Sequence, residues 1–596
     1  MKGAAIQRAA PGFAKRKSRE ACGLVSWRRG ANDRAPMPSG SSASIPIDKP
    51  APSAPEQRGA ASRYRTGGRI VYAILLIAVF AAGAWLRFEI PQTPIADNDT
   101  WGYLNPAVSA LNGGPFVHTF TRNFLYPAFV YLILKVTGDF RAISVVQHVL
   151  GLGAGALLLA SWHAVWKLAR GVTLPVLIER ALGLAMVTIF LLSGYEILFE
   201  NHIRPEGVTA FFSMLSIWFA TKFLHYRWRD FQRCRALGCG MALLFVLAVL
   251  TSLKPSFLAT ACWASLPVWW TLLVRGFSWR EKVMLAGVPY SLAAVLLWLP
   301  EARLERDDPE ARTVTATTLF AIHANFIREQ LKEDFARGEM GPGDPRVTRA
   351  LYEALCREMD KTIAGEHYRT LGFDPDYLMF ENSFCLEVRQ RFSWNAQREE
   401  EFYRYWYLRT LGQKPWAFVA KIGRQMEVFY GKRCPAFYAR SSYPLAEDYA
   451  SGARGLALPL FHDALARFPA GQRFLAELDQ LAKNAPDFSP PHFISTMHDV
   501  LARKYLRLMW LALVLSLAVL CVPILRARGG LCAAALLLVA GYSFSNCLEV
   551  AIVHSLEIRR YTAVQFSFAL LSEFMTLAFA VWVVVAALQV WRGRMA

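Results

Sequence analysis

Charged residues are scarce in this chain. Asp, Glu, Lys and Arg make up only 19% of its 596 residues, and 54% of the residues are hydrophobic. Soluble proteins of this length carry more charge and shorter apolar runs, so the composition excludes an ordinary soluble globular protein. A bilayer core about 30 Å thick needs roughly 20 apolar residues for each helix that crosses it. The sequence supplies such runs repeatedly and therefore predicts an integral membrane protein.

Cysteines at metal-binding or redox spacing are also lacking. The chain has ten cysteines but no CxxC motif, and most of them lie in or beside apolar segments. The cysteines therefore lack the spacing that is typical of zinc-binding and thioredoxin-like sites. Cys356, Cys385 and Cys434 share one long loop, where a single disulfide could form.

Large apolar residues are rare in residues 1–69. This segment has 14 Lys and Arg against four Asp and Glu, and it is rich in Ala, Pro, Ser and Gly. It cannot bury enough surface to offset its chain entropy, so we expect a disordered basic tail. No secretory apolar region precedes Ile70, which predicts that the tail is not a cleaved signal peptide. Basic residues beside a membrane anchor favour a cytoplasmic N-terminus that contacts anionic lipid. Nucleic-acid binding is not expected, because no aromatic or structured element accompanies the charge.

Ten apolar runs are long enough to form membrane spans. If the N-terminus is cytoplasmic, every second connection faces the cytoplasm, and each of these short turns contains Lys or Arg. That bias is the one expected of cytoplasmic loops. We therefore predict an all-α polytopic protein with about ten transmembrane helices and both termini inside. The runs lie at 70–88, 143–166, 179–198, 207–224, 236–253, 257–274, 282–300, 505–525, 530–553 and 562–591.

The other connections are then expected to face outward. The longest, 301–504, has about 200 residues, which is enough for a domain, and it separates an N-terminal membrane module, 70–300, from the C-terminal helices, 505–596. We expect this insertion to be mostly helical, with helices near 347–363 and 403–430. A shorter apolar run at 126–136, within the first outer loop (89–142), predicts an interfacial helix.

Polar residues that are unusual beside a membrane gather in these outer loops. Asp97 and Asp99 follow the first span directly. Two carboxylates at this spacing can provide a general base or bind a cation, and Asp99 could alternatively cap a following helix. Arg122, later in the same loop, can bind a phosphate group or extend towards lipid headgroups.

The remaining outer loops repeat this pattern. Glu200, Arg204 and Glu206 lie within one short loop, where they could form a site or a solvated ion-paired turn. Lys254 occupies the next outer turn, and Arg559 and Arg560 occupy the last. If the helices form a bundle, these loops meet at one end. Such a meeting would place cations around an anionic headgroup and a carboxylate beside a nucleophile.

In order along the chain, these residues resemble the GT-C superfamily of membrane glycosyltransferases, which includes the protein O-mannosyltransferases and the bacterial lipid A aminoarabinose transferases. The resemblance covers 70–592 and departs from the family pattern at Thr100, at Phe124 and after Tyr561. The matching segments are Asp99 with Tyr103 and Leu104, Arg122 with Leu125, Tyr126 and Pro127, Lys254 with Pro255, and Arg560 with Tyr561.

The resemblance implies an inverting transfer of a sugar from a polyprenyl-phosphate donor to an extracytoplasmic glycan, lipid or protein acceptor. It implies that Asp99 is the catalytic carboxylate, with Asp97 beside it. Together with the composition, it implies a bacterial inner membrane with an extracytoplasmic active site. The donor phosphate would be bound by Arg122, Lys254, Arg559 and Arg560. The substrate-binding residues would be Tyr103, Tyr126, Glu200, Arg204, Glu206 and Tyr561.

Two questions stay open at the level of sequence. A divalent cation could bind through Asp97 and Glu200, although nothing in the sequence requires one. The alternative function is that of a polytopic transporter or lipid flippase. A transporter is expected to have ionisable groups at the bilayer midplane and two similar halves, whereas the polar groups here lie at helix ends and no internal repeat is visible.

Overall fold

The computed structural model describes residues 55–119, 122–274, 276–363, 368–380 and 384–595. The predicted disordered tail therefore lies largely outside the described residues, and its last part, from Pro55, already belongs to the first helix. The described residues are predominantly helical, and their extended pairing consists of two isolated β-bridges.

Twenty-five α-helices are found in the described residues. The first eleven are α1 (Pro55–Glu89), α2 (Thr100–Leu111), α3 (Leu125–Thr137), α4 (Arg141–Trp166), α5 (Val176–Leu191), α6 (Gly194–Asn201), α7 (Glu206–Leu224), α8 (Arg233–Leu253), α9 (Leu258–Leu273), α10 (Trp279–Ala293) and α11 (Leu299–Asp307). The others are α12 (Pro309–Ala321), α13 (Ala324–Ala336), α14 (Pro345–Ile363), α15 (Pro375–Phe380), α16 (Phe384–Arg391), α17 (Ala396–Gln413), α18 (Pro415–Tyr430), α19 (Leu445–Leu456), α20 (Pro459–Ala466), α21 (Pro469–Asn484), α22 (His492–Cys521), α23 (Pro523–Val553), α24 (Arg559–Ala563) and α25 (Phe566–Met595).

Nine helical segments in this part of the chain are long and apolar enough to cross a membrane. Helices α5 and α6 meet the same criteria only together and are bent by 46° at a short break, so they add a tenth span if the pair crosses as one. The prediction of an all-α polytopic membrane protein is thus confirmed. The nine segments are Gly68–Glu89, Arg141–Trp166, Glu206–Arg229, Arg233–Leu253, Pro255–Leu273, Trp279–Asp307, His492–Cys521, Pro523–Val553 and Arg559–Arg592.

The insertion between α11 and α22 divides into two packing units. Helices α12 to α17 bury their own apolar core around Phe320, Leu355 and Trp406. The later helices α19 to α21 instead share a core with the loop at 89–142, in which Tyr449 and Phe474 pack with Trp101 and its neighbours. The predicted insertion therefore contains one helical unit with a core of its own and a second unit that packs against the loop at 89–142.

Individual helices of the insertion and of the loop at 89–142 differ little from the sequence prediction. Helix α14 corresponds to the predicted 347–363, and α3 to the predicted short helix at 126–136. The predicted helix at 403–430 is two helices, α17 and α18, because Pro415 begins a new helix directly after Lys414. Proline lacks an amide hydrogen and fixes φ, so it fits the first turn of a helix and not the interior.

Candidate functional site: the Asp99 cluster

The turn that carries Asp97 and Asp99 leads directly into α2. Asp97 Oδ1 accepts a hydrogen bond of 2.8 Å from the Asp99 amide and one of 3.3 Å from Thr100 Oγ1, which fixes an Asx-type turn. Asp99 does occupy the N-cap position of α2, as one alternative predicted, but its side chain makes no capping hydrogen bond. Its carboxylate is therefore available to other partners.

A β-bridge sets the turn against the loop before α7. Ile95 and His202 pair in parallel, with the Ile95 amide donating to Asn201 at 2.8 Å and the Ile203 amide donating to Ile95 at 3.1 Å. This pairing brings Arg204 Nε into contact with Asp97 Oδ2. Two loops that are distant in sequence are thus joined by backbone and side-chain bonds.

Asp99 is the point at which the loops meet. Arg122 Nη2 donates to Asp99 Oδ1 over 2.6 Å, and Arg560 Nη1 contacts Asp99 Oδ2. Arg204 Nη2 lies 3.5 Å from the same Oδ2 atom. Three guanidinium groups from three separate connections therefore surround one carboxylate.

A second ion pair lies next to this group. Lys254 Nζ lies 2.8 Å from Glu206 Oε1, and the ring of Tyr561 lies 5.0 Å from Lys254 Nζ and 5.3 Å from the guanidinium carbon of Arg560. Lys254 is placed here because Pro255 ends α8 and forces an extended conformation on the residue before it. These contacts define the Asp99 cluster, whose charged members are Asp97, Asp99, Arg122, Arg204, Glu206, Lys254 and Arg560.

The Asp99 cluster carries an excess of positive charge. Its four cations face three carboxylates, and all seven groups are wholly or mostly withdrawn from solvent. The buried atoms Arg122 Nε and Glu206 Oε2 have no hydrogen-bond partner among the described residues. Buried polar atoms normally have partners, so Arg122 Nε favours a ligand that accepts a hydrogen bond and Glu206 Oε2 favours a ligand group that donates one. The excess of cations favours an anionic ligand.

Asp97 and Lys254, which lie outside the membrane spans, have altered pKa values. Burial raises the pKa of Asp97, but His202, 3.5 Å away, and the charge of Arg204 outweigh it, so the pKa lies well below the usual range. Burial lowers the pKa of Lys254, and the charge of Glu206 opposes that effect. Asp97 is therefore ionised at any physiological pH and holds Arg204 in place.

The predicted tyrosines line the same region. The Tyr103 ring lies 5.3 Å from the guanidinium carbon of Arg122, and the Tyr126 ring packs edge-on against Tyr103. The Tyr126 hydroxyl is buried and donates to Gln147 Oε1 at 2.9 Å. Tyr103 and Tyr561 thus place their ring faces against the cations of the Asp99 cluster, whereas Tyr126 packs against the ring of Tyr103.

Glu200 and Arg559 lie outside the Asp99 cluster. Both oxygens of Glu200 bond to the fully buried Arg87, at 2.7 and 2.8 Å, and His148 Nδ1 lies 2.9 Å from Oε2. Arg559 extends towards Tyr438, where Nη1 donates to the hydroxyl at 3.0 Å. Both residues were predicted to belong to the site because they lie in the same loops as residues that do belong to it.

The insertion contributes a carboxylate that the sequence did not single out. Asp376, at the start of α15, accepts a hydrogen bond from Tyr368 and lies 3.7 Å from His554 Nε2. Burial raises the pKa of Asp376, while the charge of Arg560 opposes this and that of Asp99 adds to it. Asp376 therefore lies close enough to Arg560 and Asp99 for their charges to act on it.

The insertion also fixes the last loop, which carries Arg560. Lys421 Nζ donates to the carbonyl oxygens of Ala551 and His554, at 2.6 and 3.1 Å, and so satisfies the end of α23. Gln425 accepts from the Leu556 amide at 2.7 Å and donates to Thr370. Helix α18 therefore bonds both to the loop that carries Arg560 and to the turn that precedes Asp376.

The described residues contain no group of three or more His, Cys, Asp or Glu side chains that could hold a metal ion. Glu200, one of the two residues considered for a cation, is fully engaged by Arg87 and His148. Cys356, Cys385 and Cys434 are free thiols, so no disulfide joins them.

Comparison with known proteins gives resemblances of low similarity. No protein-family model and no curated protein matches the chain. Among solved structures, it is similar to two crystal structures of the Archaeoglobus fulgidus oligosaccharyltransferase, one in complex with zinc and sulfate and one in the apo form. Each has a TM-score of 0.34 and 11% sequence identity. The matches cover 84% and 88% of this chain but 48% and 52% of the other chains, so this chain spans about half their length. The function must accordingly be argued from the geometry of the Asp99 cluster.

Proposed function

We propose that this protein is a membrane glycosyltransferase that moves a sugar from a polyprenyl-phosphate donor to an acceptor, with inversion at the anomeric carbon. The observation that supports this most is the position of Asp99, whose carboxylate lies between Arg122 and Arg560. A base and phosphate-binding groups are the two components that such a transfer needs.

Arg122, Arg560 and Lys254 are proposed to bind the donor phosphate. A planar guanidinium can bond two oxygens of a phosphate as readily as those of a carboxylate. When the phosphate draws these cations towards itself, the oxygens of Asp99 become free to accept a proton. Tyr103 and Tyr561 hold the cations through their ring faces.

In the proposed reaction, Asp99 removes the proton from an acceptor hydroxyl or amine. The acceptor atom then forms a bond to the anomeric carbon from the face opposite the phosphate. The bond between that carbon and the phosphate oxygen breaks, and the electron pair stays on the phosphate. Because this negative charge grows in the transition state, Arg122, Arg560 and Lys254 raise the rate as well as the affinity.

Asp97 and Arg204 are proposed to position the site. Asp97 fixes the turn before Asp99 and anchors Arg204, which in turn lies beside Asp99. Asp376 approaches from the insertion, so we assign it to the acceptor side. The insertion end of the bundle is proposed to face away from the cytoplasm, where a lipid-borne donor is the available form of activated sugar.

One experiment separates this function from transport. The purified full-length chain is incubated in liposomes with a polyprenyl-phosphate sugar that is labelled in the sugar, together with an extract of envelope glycans, lipids and proteins. Movement of the label from the carrier to an acceptor supports the proposal. Translocation of the intact carrier without cleavage identifies a flippase. If the label stays on the carrier and the carrier stays in its original leaflet, both functions are contradicted.

A further inference from the structure

A second basic site lies at the end of the bundle opposite the Asp99 cluster. Glu206 begins α7 within that cluster, and the helix continues through a π-helical turn, His225–Arg229, at its far end. A helix of this length spans roughly 35 Å. A cavity of about 290 Å³ opens there, lined by Tyr226, Arg227, Phe231, Arg233 and Gly276.

Arg227 is held in a defined position in this cavity. Its guanidinium carbon lies 4.5 Å from the ring centre of Trp228 and 5.3 Å from that of Phe277. Gly276 has a φ of +140°, and a Cβ atom there would lie only 2.7 Å from Arg227 Nη2. A glycine at this point of the turn therefore lets the guanidinium lie directly against the backbone.

The charge of Arg227 has no carboxylate partner within the described residues. Its Nε atom is buried and makes no hydrogen bond there, and the exposed Arg233 also lines the cavity. The acidic residues nearby are already engaged. Asp230 lies 3.0 Å from His225, and Glu281 accepts hydrogen bonds of 2.6 and 2.9 Å from Ser278. Neither Arg227 nor Arg233 forms an ion pair with the described residues, so both guanidiniums remain able to bind an anion from outside the chain.

The surroundings of the cavity are apolar and exposed. Phe231 is 67% exposed, and Leu273 and Trp279, on either side of the turn that contains Gly276, are 80% and 74% exposed. Such residues at the end of membrane spans are suited to contact with acyl chains and the headgroup region. A soluble anion would leave this apolar surface uncovered, whereas a lipid would cover it.

We propose that this cavity binds the headgroup phosphate of an anionic phospholipid. Arg227 and Arg233 bond the phosphate, Trp228 and Phe277 keep Arg227 oriented, and the apolar rim contacts the acyl chains. Basic pockets between transmembrane helices are known to hold such headgroups. The site is independent of the proposed glycosyl transfer, since none of its residues belongs to the Asp99 cluster.

The proposal can be tested with the full-length chain in nanodiscs of phosphatidylcholine that contain a small fraction of phosphatidylglycerol. Lipid that stays bound is identified by native mass spectrometry after release from the nanodisc. The wild-type chain should retain phosphatidylglycerol in preference to phosphatidylcholine. The variant with Arg227→Gln and Arg233→Gln should retain about thirtyfold less, because each removed cation weakens the electrostatic attraction.

The matched control is Arg592→Gln, which removes an exposed arginine at the end of α25 outside the cavity and should leave retention unchanged. Arg227→Lys keeps the charge and should retain an intermediate amount, and thermal unfolding in phosphatidylcholine verifies that each variant is folded. Equal retention of both lipids by the wild-type chain would overturn the proposal. So would equal losses in the cavity and control variants, or displacement of the lipid by millimolar inorganic phosphate.

Discussion

Arg560 contacts the carboxylate of Asp99 although the two residues are 461 positions apart in the chain. Arg122 holds the other oxygen of the same carboxylate at 2.6 Å. The first and last loops at this end of the bundle therefore contact each other through the side chain of Asp99. Most of the protein's fold lies between them, which makes this contact a sensitive indicator of whether the site is assembled.

The guanidinium of Arg560 is expected to contribute directly to transfer. Arg560→Gln removes a charge that would stabilise the departing phosphate, and such losses typically reduce kcat by about 10²- to 10³-fold. Arg560→Lys, which keeps the charge but loses the planar fork, should be less severe. Steady-state transfer of labelled sugar measures both. The matched control is Arg473→Gln, an exposed arginine at the same end that bonds the Gly138 carbonyl, and an equal loss in that variant would argue against a specific role.

Lys421 is expected to act through the loop that carries Arg560. Lys421→Met leaves the carbonyl oxygens at the end of α23 without their donor, so the loop should move and transfer should fall by about tenfold. The affinity for the acceptor should change less than kcat. Lys432→Met, which removes an exposed lysine shortly after α18, serves as the control. If both variants transfer sugar at the wild-type rate, the insertion does not position the loop.

Glu200 is expected to stabilise the fold rather than to bind substrate. Glu200→Gln leaves the buried Arg87 without its counter-charge, and breaking a buried ion pair costs about 3–5 kcal/mol. Thermal unfolding in detergent should show a large destabilisation, with transfer by the folded fraction unchanged. Glu477→Gln breaks the more exposed pair with Arg141 and should cost about 1 kcal/mol or less. Loss of transfer at unchanged stability would instead place Glu200 in the substrate site.

His118 is expected to make stability depend on pH. Burial lowers its pKa, but Glu301, 3.4 Å away, and Asp308, 2.8 Å away, outweigh this and raise the pKa above the usual histidine value. Protonated His118 therefore stabilises the fold fully below pH ~6.5, which is the pKa of histidine in the unfolded chain. This stabilisation is lost as the pH rises through the pKa of His118 in the folded protein. As the pH rises through this range, the melting temperature of the wild-type protein should fall by more than that of the His118→Gln variant. Parallel pH profiles for the two proteins would exclude this contribution.

Much of the fold follows from local features of the sequence. Apolar length locates the spans, and α3 and α14 lie where periodicity predicts them. The break between α17 and α18 was missed, although Pro415 is a visible signal for it. The bend between α5 and α6 was not predicted either, because hydropathy records the apolar length of a segment and not its direction.

The candidate site was predictable where its residues stand in loops next to the ends of spans. Asp99, Arg122, Lys254 and Arg560 could be placed together because a bundle brings such loops to one end. Distant partners could not be predicted. Arg87 lies within an apolar run and Asp376 within a long insertion, and their positions depend on how whole helices pack. Sequence proximity was equally misleading for Glu200 and Arg559, whose side chains turn away from their neighbours.

The central claim is that Asp99 accepts the acceptor's proton, and transfer by Asp99→Asn tests it most directly. Asparagine preserves the shape of the side chain but cannot take up the proton. Purified Asp99→Asn is compared with Asp139→Asn, which alters an exposed aspartate in the turn between α3 and α4. With labelled polyprenyl-phosphate sugar, Asp99→Asn should bind the donor yet transfer no measurable label, while Asp139→Asn transfers at the wild-type rate. Full transfer by folded Asp99→Asn would contradict the account.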